Sequence, residues 1–427
     1  MSRTENPPGA SVPVSFLTGR AHSFLATVRI SLVVVGLCGA TLPRALPAQQ
    51  PVTRAQAVAA ALSRGARVAL GRADTAAARG SARAARAFPN PSLAASYTKA
   101  VPQYHAIVDL PLDLPWLRGP RIGAAESARD AARYGFALER AAIRFDVDTT
   151  YTRALAGAAH ARLSRRNAID ADSLLKMAQL RREVGDVSEL DVRLAAVNAG
   201  QLENVATDDS LAAVDALLAV QLAMGLPGEA PTVVLADSLV PPVDIVPPAP
   251  AEYLPVAAAT ASLRSAERAL TFAHRSLFAA PSLQVGLENR DPTGAERGLL
   301  PTIGLSFPIP LFNWNGGEVT QAAAARDRAQ AELDLVRRES GASVARARRE
   351  LAAGLARLGR DARLLASADR VAAMSLQAYG EGAIPLANVL EAQRNAREAL
   401  GRYIDDLASA NDAVAAVRLL TAAPDQP

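Results

Sequence analysis

The sequence predicts a mainly helical protein with a small β part, built from two copies of one structural unit. Half of its 427 residues are hydrophobic but only 4% are aromatic, so the apolar content is mostly Ala, Leu and Val. Ala and Leu are strong helix formers. A stretch without proline runs from Gly316 to Tyr379. As a single helix it would extend roughly 96 Å, which predicts an elongated architecture.

The two copies are related by a displacement of 197 positions along the chain. Prolines, glycines and apolar residues recur in the same order in both halves: Pro111 and Pro308, Gly119 and Gly316, Gly185 and Gly382, Val192 and Val389, Pro227 and Pro424. Upstream, Pro91 matches Pro281 at a displacement of 190. A period this long indicates a duplicated unit and not a short solenoid repeat.

The predicted organisation is a signal peptide (1–48), a first repeat (49–227), a Pro-rich connector (228–255) and a second repeat (256–427). Arg20 and Arg29 precede a short apolar run, and the small residue Ala48 suits cleavage after it by a signal peptidase, although Leu46 is an imperfect match. Cys38, the only cysteine, lies in this run, where lipidation is possible but not favoured. Eight prolines from Pro227 to Pro255 exclude a regular helix in the connector.

Each repeat is predicted to contain a first helix, two short strands, a very long helix that ends at a glycine, and a helix that returns. The first helices are predicted at Val52 to Ala87 and Glu252 to Ala279. The last returning helix has the 3,4 spacing of a coiled coil, carried by Leu400, Tyr403, Leu407, Ala410, Val414 and Val417. The sequence therefore predicts long coiled-coil hairpins.

The predicted strands alternate between apolar and polar residues. In the second repeat Leu283, Val285 and Leu287 alternate with Gln284 and Glu288, and a second strand runs from Leu299 to Phe307. The first repeat has a weaker pair, around Leu93 to Tyr97 and Ala106 to Leu110. This alternation fits a lipid-facing barrel with a wet lumen, and it fits a two-sided sheet in a soluble domain equally well.

Aromatic residues follow the proline-rich corners at the ends of the strands. Trp116 follows the first corner, and Phe312 and Trp314 lie in the second. They suit a membrane–water interface, or they plug the core at the strand-to-helix junction. The second interpretation is slightly favoured.

Composition argues against catalysis and nucleic-acid binding. The formal net charge is only +4, and Arg alternates with acidic residues without forming a basic stripe. The histidines are isolated, and no catalytic, metal-binding or phosphate-binding motif is present. We therefore expect no enzyme activity, no cofactor, no metal site and no nucleic-acid partner.

Four segments together resemble the TolC-type outer membrane efflux family. They are Phe88 to Leu93 (FPNPSL), Arg182 to Asp191 (REVGDVSELD), Pro308 to Gly316 (PIPLFNWNG) and Tyr379 to Gln393 (YGEGAIPLANVLEAQ). The resemblance spans about Val52 to Leu420 and depends on their order, spacing and duplication. The corner at Pro308 is closest in style to members that serve metal-cation exporters.

The resemblance implies a homotrimer in the outer membrane. Each chain would give four strands to one shared transmembrane β-barrel, and its helical hairpins would form a periplasmic α-barrel that is closed at its tip. A periplasmic adaptor and an inner-membrane pump would dock below. The chain would then be a passive exit duct in a tripartite efflux or secretion system.

The resemblance also assigns the hairpin tips. The adaptor-docking residues would be Gly185, Asp186, Val187, Gly382, Ala383 and Ile384, and the periplasmic gate would use Tyr379, Asn388, Glu391 and Asp191. The family's basic partner for the tyrosine, two residues after the glycine, is here Ile384. Either the tyrosine latch is missing or it uses other contacts. Ordinary turn and capping chemistry, with Ser188 or Asp191 as the N-cap, explains the same residues.

The alternative function is a soluble periplasmic coiled-coil adaptor or scaffold protein. An adaptor usually has one helical hairpin, whereas this sequence predicts two hairpins within a full duplication. The channel interpretation is therefore favoured.

Overall fold

A computed structural model describes residues 50–243, 252–276, 280–289, 298–310 and 312–424. The predicted signal peptide, with Cys38 and the cleavage site, lies outside these residues, as does part of the connector. The helices are α1 (Arg54–Arg64), α2 (Ala66–Arg86), α3 (Pro115–Glu183), α4 (Glu189–Ala223), α5 (Leu254–Arg275), α6 (Gly316–Gly380) and α7 (Leu386–Leu420). The strands are β1 (Gln50–Val52), β2 (Ser92–Tyr97), β3 (Tyr104–Pro111), β4 (Val233–Leu235), β5 (Ser282–Asn289) and β6 (Leu299–Ser306).

The predicted single helix from Val52 to Ala87 is wrong, because the chain breaks at Gly65. Gly65 has extended backbone angles (φ −61°, ψ 141°) and separates α1 from α2. A Cβ at this position would lie 2.4 Å from the carbonyl oxygen of Ala61. Glycine is also a poor helix former. Val52 itself lies in β1, and α1 starts at a capping box formed by Thr53 and Gln56.

The connector contains a short strand that the sequence did not predict. β4 pairs with β1 in parallel, with Val52 opposite Leu235. The side-chain amide of the fully buried Gln221 donates to the carbonyl oxygens of Pro227 (3.0 Å) and Ala230 (2.9 Å). Its oxygen accepts from the backbone N–H of Thr232 (2.6 Å) and Val233 (3.2 Å). One α4 side chain therefore holds the start of the connector.

Two long hairpins dominate the molecule, as predicted. α3 and α4 form the first, α6 and α7 form the second, and α6 spans 65 residues. Its bounds confirm the predicted proline-free helix to within one residue. At about 1.5 Å per residue α6 is roughly 98 Å long.

The predicted coiled-coil seam of α7 packs against α6. Leu407, Ala410, Val414 and Val417 are buried, and they contact α6 residues that include Leu351 and Leu358. A Cβ placed on Gly354 would lie 3.6 Å from the Cβ of Ala410. Small residues at the seam let the two helices approach closely.

Four strands form one antiparallel sheet in the order β2-β3-β5-β6. The central pair joins the two repeats, since β3 belongs to the first and β5 to the second. Within the described residues β2 and β6 are the unpaired edges of this sheet.

Near the sheet, α5 lies between the two long helices. It packs along α3 of the first repeat and α6 of its own repeat, and α2 packs along α3.

The corner aromatics do not plug a core here: Trp116 is 55% exposed, Trp314 65% and Phe312 98%. The prediction that these aromatic residues plug the core at the strand-to-helix junction is therefore wrong for a single chain. In the part of the chain that the structure describes, no helix has both the length and the hydropathy needed to cross a bilayer.

Candidate functional site

The ends of the two hairpins have the same backbone turn. At the first tip the N–H groups of Gly185 and Asp186 donate to the carbonyls of Arg182 (3.0 Å) and Arg181 (2.8 Å). At the second tip Gly382 and Ala383 repeat this pattern with Tyr379 (3.0 Å) and Ala378 (2.8 Å). Both patterns are Schellman motifs. Gly185 has φ +85° and Gly382 has φ +76°, which confirms that glycine makes both turns.

The returning helices begin differently. At α4 the Ser188 hydroxyl accepts from the backbone N–H of Asp191 (3.1 Å), and the Asp191 carboxylate accepts from the backbone N–H of Ser188 (3.1 Å). Ser188 is therefore the N-cap of a capping box. The matching residues at α7 are Pro385 and Asn388. Pro385 is the N-cap and gives no side-chain hydrogen bond.

Tyr379 is the anchor of an apolar cluster that joins both hairpins near their tips. Its ring is 2% exposed, and the cluster includes Leu174 and Ala178 from α3, Ala195 from α4 and Leu386 and Val389 from α7. The side chain of Ile384 packs against this cluster. The Tyr379 hydroxyl is buried and has no hydrogen-bond partner among the described residues. Burial raises the pKa of Tyr379, partly offset by the Arg181 charge, and the Asp191 carboxylate raises it further.

Arg181 connects the two tips, and the sequence analysis missed it. Its guanidinium lies 4.8 Å from the centroid of the Tyr379 ring and donates a hydrogen bond to the Tyr379 carbonyl oxygen. It also lies 3.9 Å from the carboxylate of Asp186. A positive charge over an aromatic face is attractive. The tyrosine therefore has a basic partner, which comes from the other hairpin and not from position 384.

The remaining predicted gate residues lie on the exposed surface of α7. Asn388 is exposed. The exposed Glu391 accepts from the Arg394 guanidinium (3.0 Å) and from the Asn395 amide (3.5 Å). The structure therefore brings Tyr379 and Asp191 into one environment, whereas Glu391 pairs within its own helix. Val187 and Ile384 are half-buried, while Asp186 and Ala383 are exposed.

The sheet has one apolar face and one more polar face. On the first face the register aligns Leu93, Val108, Val285 and Ile303 across the four strands. Exposure there reaches 70% for Leu93 and 77% for Ile303. On the other face His105 Nδ1 lies 3.5 Å from Glu288 Oε1, and Asp109 lies opposite Gln284. The predicted alternation is confirmed.

Solved structures with this architecture include outer membrane channels. The chain superimposes on a membrane protein from Pseudomonas aeruginosa with a TM-score of 0.73 and 19% identity, covering 86% of this chain and 93% of that one. For the Campylobacter jejuni CmeC outer membrane channel the TM-score is 0.73 at 15% identity, covering 86% and 85%. For CusC it is 0.71 at 15% identity, covering 87% and 92%. The fold is therefore that of an outer membrane channel protomer, as predicted.

Sequence comparison finds a family match in the second repeat. Residues 254–423 match the profile described as "Outer membrane efflux protein". The cobalt-zinc-cadmium resistance protein CzcC of Cupriavidus metallidurans is 27% identical over 259 residues, or 58% of this chain. The match spans 60% of the length of CzcC. The resemblance to TolC-type efflux proteins is confirmed.

Proposed function

We propose that this chain is the outer membrane subunit of a tripartite efflux or secretion system, and not an enzyme. It would be a passive duct for substrates that an inner-membrane pump and a periplasmic adaptor deliver. The observation that carries this proposal is the joining of a four-stranded sheet, apolar on one face, to two hairpins whose longer helices are each roughly 100 Å long. Such hairpins are long enough to extend the duct far into the periplasm.

A homotrimer would complete the membrane part. Four strands leave β2 and β6 as sheet edges, and unpaired backbone groups are not tolerated in lipid. Three copies would close one barrel of twelve strands, with the apolar faces toward lipid and the His105 face toward the lumen.

The hairpin tips would bind the adaptor at the periplasmic end. The docking residues would be Gly185, Asp186 and Val187 on the first hairpin, with Gly382, Ala383 and Ile384 on the second. Both tips expose their turn residues in the same backbone conformation. The rival proposal of a soluble adaptor is disfavoured, because an exposed apolar sheet face would be a liability in the periplasm.

Divalent metal cations are the first substrates to test, since CzcC is a cobalt-zinc-cadmium resistance protein. A strain that lacks this chain should become sensitive to zinc, cobalt or cadmium, and complementation should restore resistance. The purified protein should conduct ions across planar bilayers, and the native protein should fractionate with outer membranes. Recovery in a soluble fraction without channel activity would contradict the proposal.

The proposed periplasmic gate comprises Tyr379, Asn388, Glu391 and Asp191. Three-fold symmetry would bring three copies of Glu391 around one axis, and a ring of carboxylates favours cations. Glu391→Gln should reduce cation selectivity and block by multivalent cations, and Asn388→Asp should increase both. Bilayer recordings of each variant measure this. Unchanged selectivity and block in both variants would place these residues away from the constriction.

A further inference from the structure

One cavity is lined by charged groups that the proposed duct does not use. It has a volume of about 730 Å³ and lies between the start of α1, the middle of α3, the connector after β4 and the last turns of α7. Three arginines and two aspartates line it: Arg54, Arg144, Arg418, Asp148 and Asp237. Position 148 is roughly 50 Å along α3 from the first residue of that helix. Because α3 begins next to the sheet, the cavity is far from any bilayer that the sheet enters.

Asp148 is a buried carboxylate without a partner. The residue is only 4% exposed, yet it lines the cavity. Within the part of the chain that the structure describes, its side chain makes no hydrogen bond and no ion pair, and only its backbone carbonyl accepts, from the Thr152 hydroxyl (2.9 Å). Burial raises the pKa of Asp148, and the charges of Arg54, Arg144 and Arg418 oppose the shift. A buried carboxylate without a donor is unfavourable, so the cavity contains an acceptor that the described chain leaves unused.

The other charged groups of the cavity divide into one that is used and three that are available. Oδ2 of Asp237 accepts from the backbone N–H of Arg54 (2.7 Å), where a negative charge stabilises the start of α1. The three arginines make no ion pair with other described residues, and Arg144 and Arg418 are exposed. Their guanidinium groups can therefore bind an anionic group that enters the cavity.

We propose that this cavity binds a free α-amino acid with an apolar side chain. The ammonium group would donate to the Asp148 carboxylate, and the carboxylate group would accept from the guanidinium groups of Arg144 and Arg418. The apolar side chain would lie against Val58 and Leu62, which line the cavity on α1. Three arginines repel a metal cation, and a simple anion leaves Asp148 without a donor. A zwitterion satisfies both kinds of group.

The second repeat does not carry these charges. The repeat displacement of 197 converts Asp148 into Ala345 and Arg144 into Gly341, both on α6. The two long helices share their packing design, but an apolar methyl group and a glycine serve at these positions of α6. The charges of the cavity are thus not part of the shared helical design, and helix packing does not explain them.

Three matched ligands test both charged contacts in the wild-type protein. L-Leucine should bind saturably to the purified full chain in a non-ionic maltoside detergent. 4-Methylpentanoate has the same side chain and carboxylate but lacks the ammonium group, and 3-methylbutylamine lacks the carboxylate. Each should bind at least about tenfold more weakly than L-leucine, because it leaves a charged group of the cavity unpaired. Isothermal titration calorimetry measures all three.

One substitution tests the role of the buried carboxylate. Asp148→Asn keeps the shape of the side chain but removes its charge, and it should weaken L-leucine binding at least about tenfold. The matched control is Asp146→Asn, two positions earlier on α3, whose carboxylate pairs with Arg67 of α2. This variant loses the same charge from another face of the helix and should bind L-leucine as the wild type does. Thermal unfolding shows whether both variants are folded.

The outcomes that overturn the proposal are distinct from a failure of the duct. Absence of saturable L-leucine binding to the wild type, or equal binding of L-leucine and 4-methylpentanoate, would overturn it. Unchanged affinity in a folded Asp148→Asn protein would do the same. The ligand comparison uses the wild type alone, so it decides the question even if Asp148→Asn does not fold. Channel activity is measured separately in planar bilayers and does not depend on this site.

Discussion

The two hairpins have one backbone design but different polar chemistry at their tips. Both turns are Schellman motifs with glycine in the left-handed region. The first hairpin adds a capping box and the side chain of Arg181, whereas the second has Pro385 at the N-cap and supplies the buried ring of Tyr379. The two repeats thus share the glycine turns that the backbone requires. Their side chains differ, and Arg181 of the first tip contacts Tyr379 of the second.

Among the differences between the two tips, the largest effect on channel closure is expected from removing Arg181. Its counterpart at the second tip, Ala378, cannot make the same contacts. Arg181→Ala removes a cation–π contact and a hydrogen bond, worth about 2 kcal/mol together. If the tips form the proposed gate, this should lower the closed-to-open ratio about thirtyfold. The conductance of the closed channel in planar bilayers should rise accordingly.

The exposed neighbour Arg182 provides the matched control for this experiment. Arg182→Ala should leave the conductance unchanged, and Arg181→Lys should restore part of the closed state because it keeps the charge. Equal conductance in the Arg181→Ala and Arg182→Ala proteins would mean that the contact between the hairpins does not control opening.

An effect of similar size, but dependent on pH, is expected from Asp412 on α7, which has the exposed Asp215 of α4 as its counterpart. Burial raises the pKa of Asp412 to about 6, although Arg153 and Arg54 oppose the shift, and its Oδ1 has no hydrogen-bond partner among the described residues. A carboxyl with a raised native pKa favours folding when protonated. That contribution is complete below the ordinary pKa of 3.8 and is lost as the pH rises to about 6.

Asp412→Asn should therefore stabilise the protein by about 2 kcal/mol at pH 7.5 and change little at pH 4. Thermal unfolding at the two pH values measures the difference. Asp215→Asn, at the exposed counterpart position on α4, is the matched control for the loss of one carboxylate. If Asp412→Asn increases the stability equally at both pH values, titration of this carboxyl is excluded as the cause.

The smallest effect concerns the caps of the returning helices. Ser188→Ala removes the capping box and should cost about 1 kcal/mol locally, whereas Pro385→Ala removes no side-chain hydrogen bond. Hydrogen exchange at the first residues of α4 and α7 would detect this difference. Similar loss of protection in both variants would mean that the box contributes nothing beyond the turn.

Local sequence patterns predicted most of the fold. Proline-free length defined α6, the 3,4 spacing of Leu407 to Val417 located the seam, and alternation located β5 and β6. Ser188 and Asp191 were the two predicted N-cap candidates, and the capping box that they form joins residues only three positions apart. These features all depend on neighbours in sequence.

The missed features depend on contacts between distant segments. β4 forms because β1, more than 180 residues earlier, supplies a ladder partner. Arg181 meets Tyr379 only because two hairpins lie side by side, and nothing near Arg181 in the sequence indicates an aromatic partner. The break at Gly65 was visible as a glycine, but a single glycine is tolerated in many helices.

At the buried position 221 a side chain of the right shape is not sufficient, because the position also requires a hydrogen-bond donor. Glutamate has nearly the same shape, but an ionised glutamate can only accept. At position 221 it would turn a carboxylate oxygen toward the carbonyl oxygens of Pro227 and Ala230, which now lie 3.0 and 2.9 Å from an amide nitrogen. Deamidation at this one residue would thus convert two attractions into two repulsions and release the start of the segment that joins the two repeats.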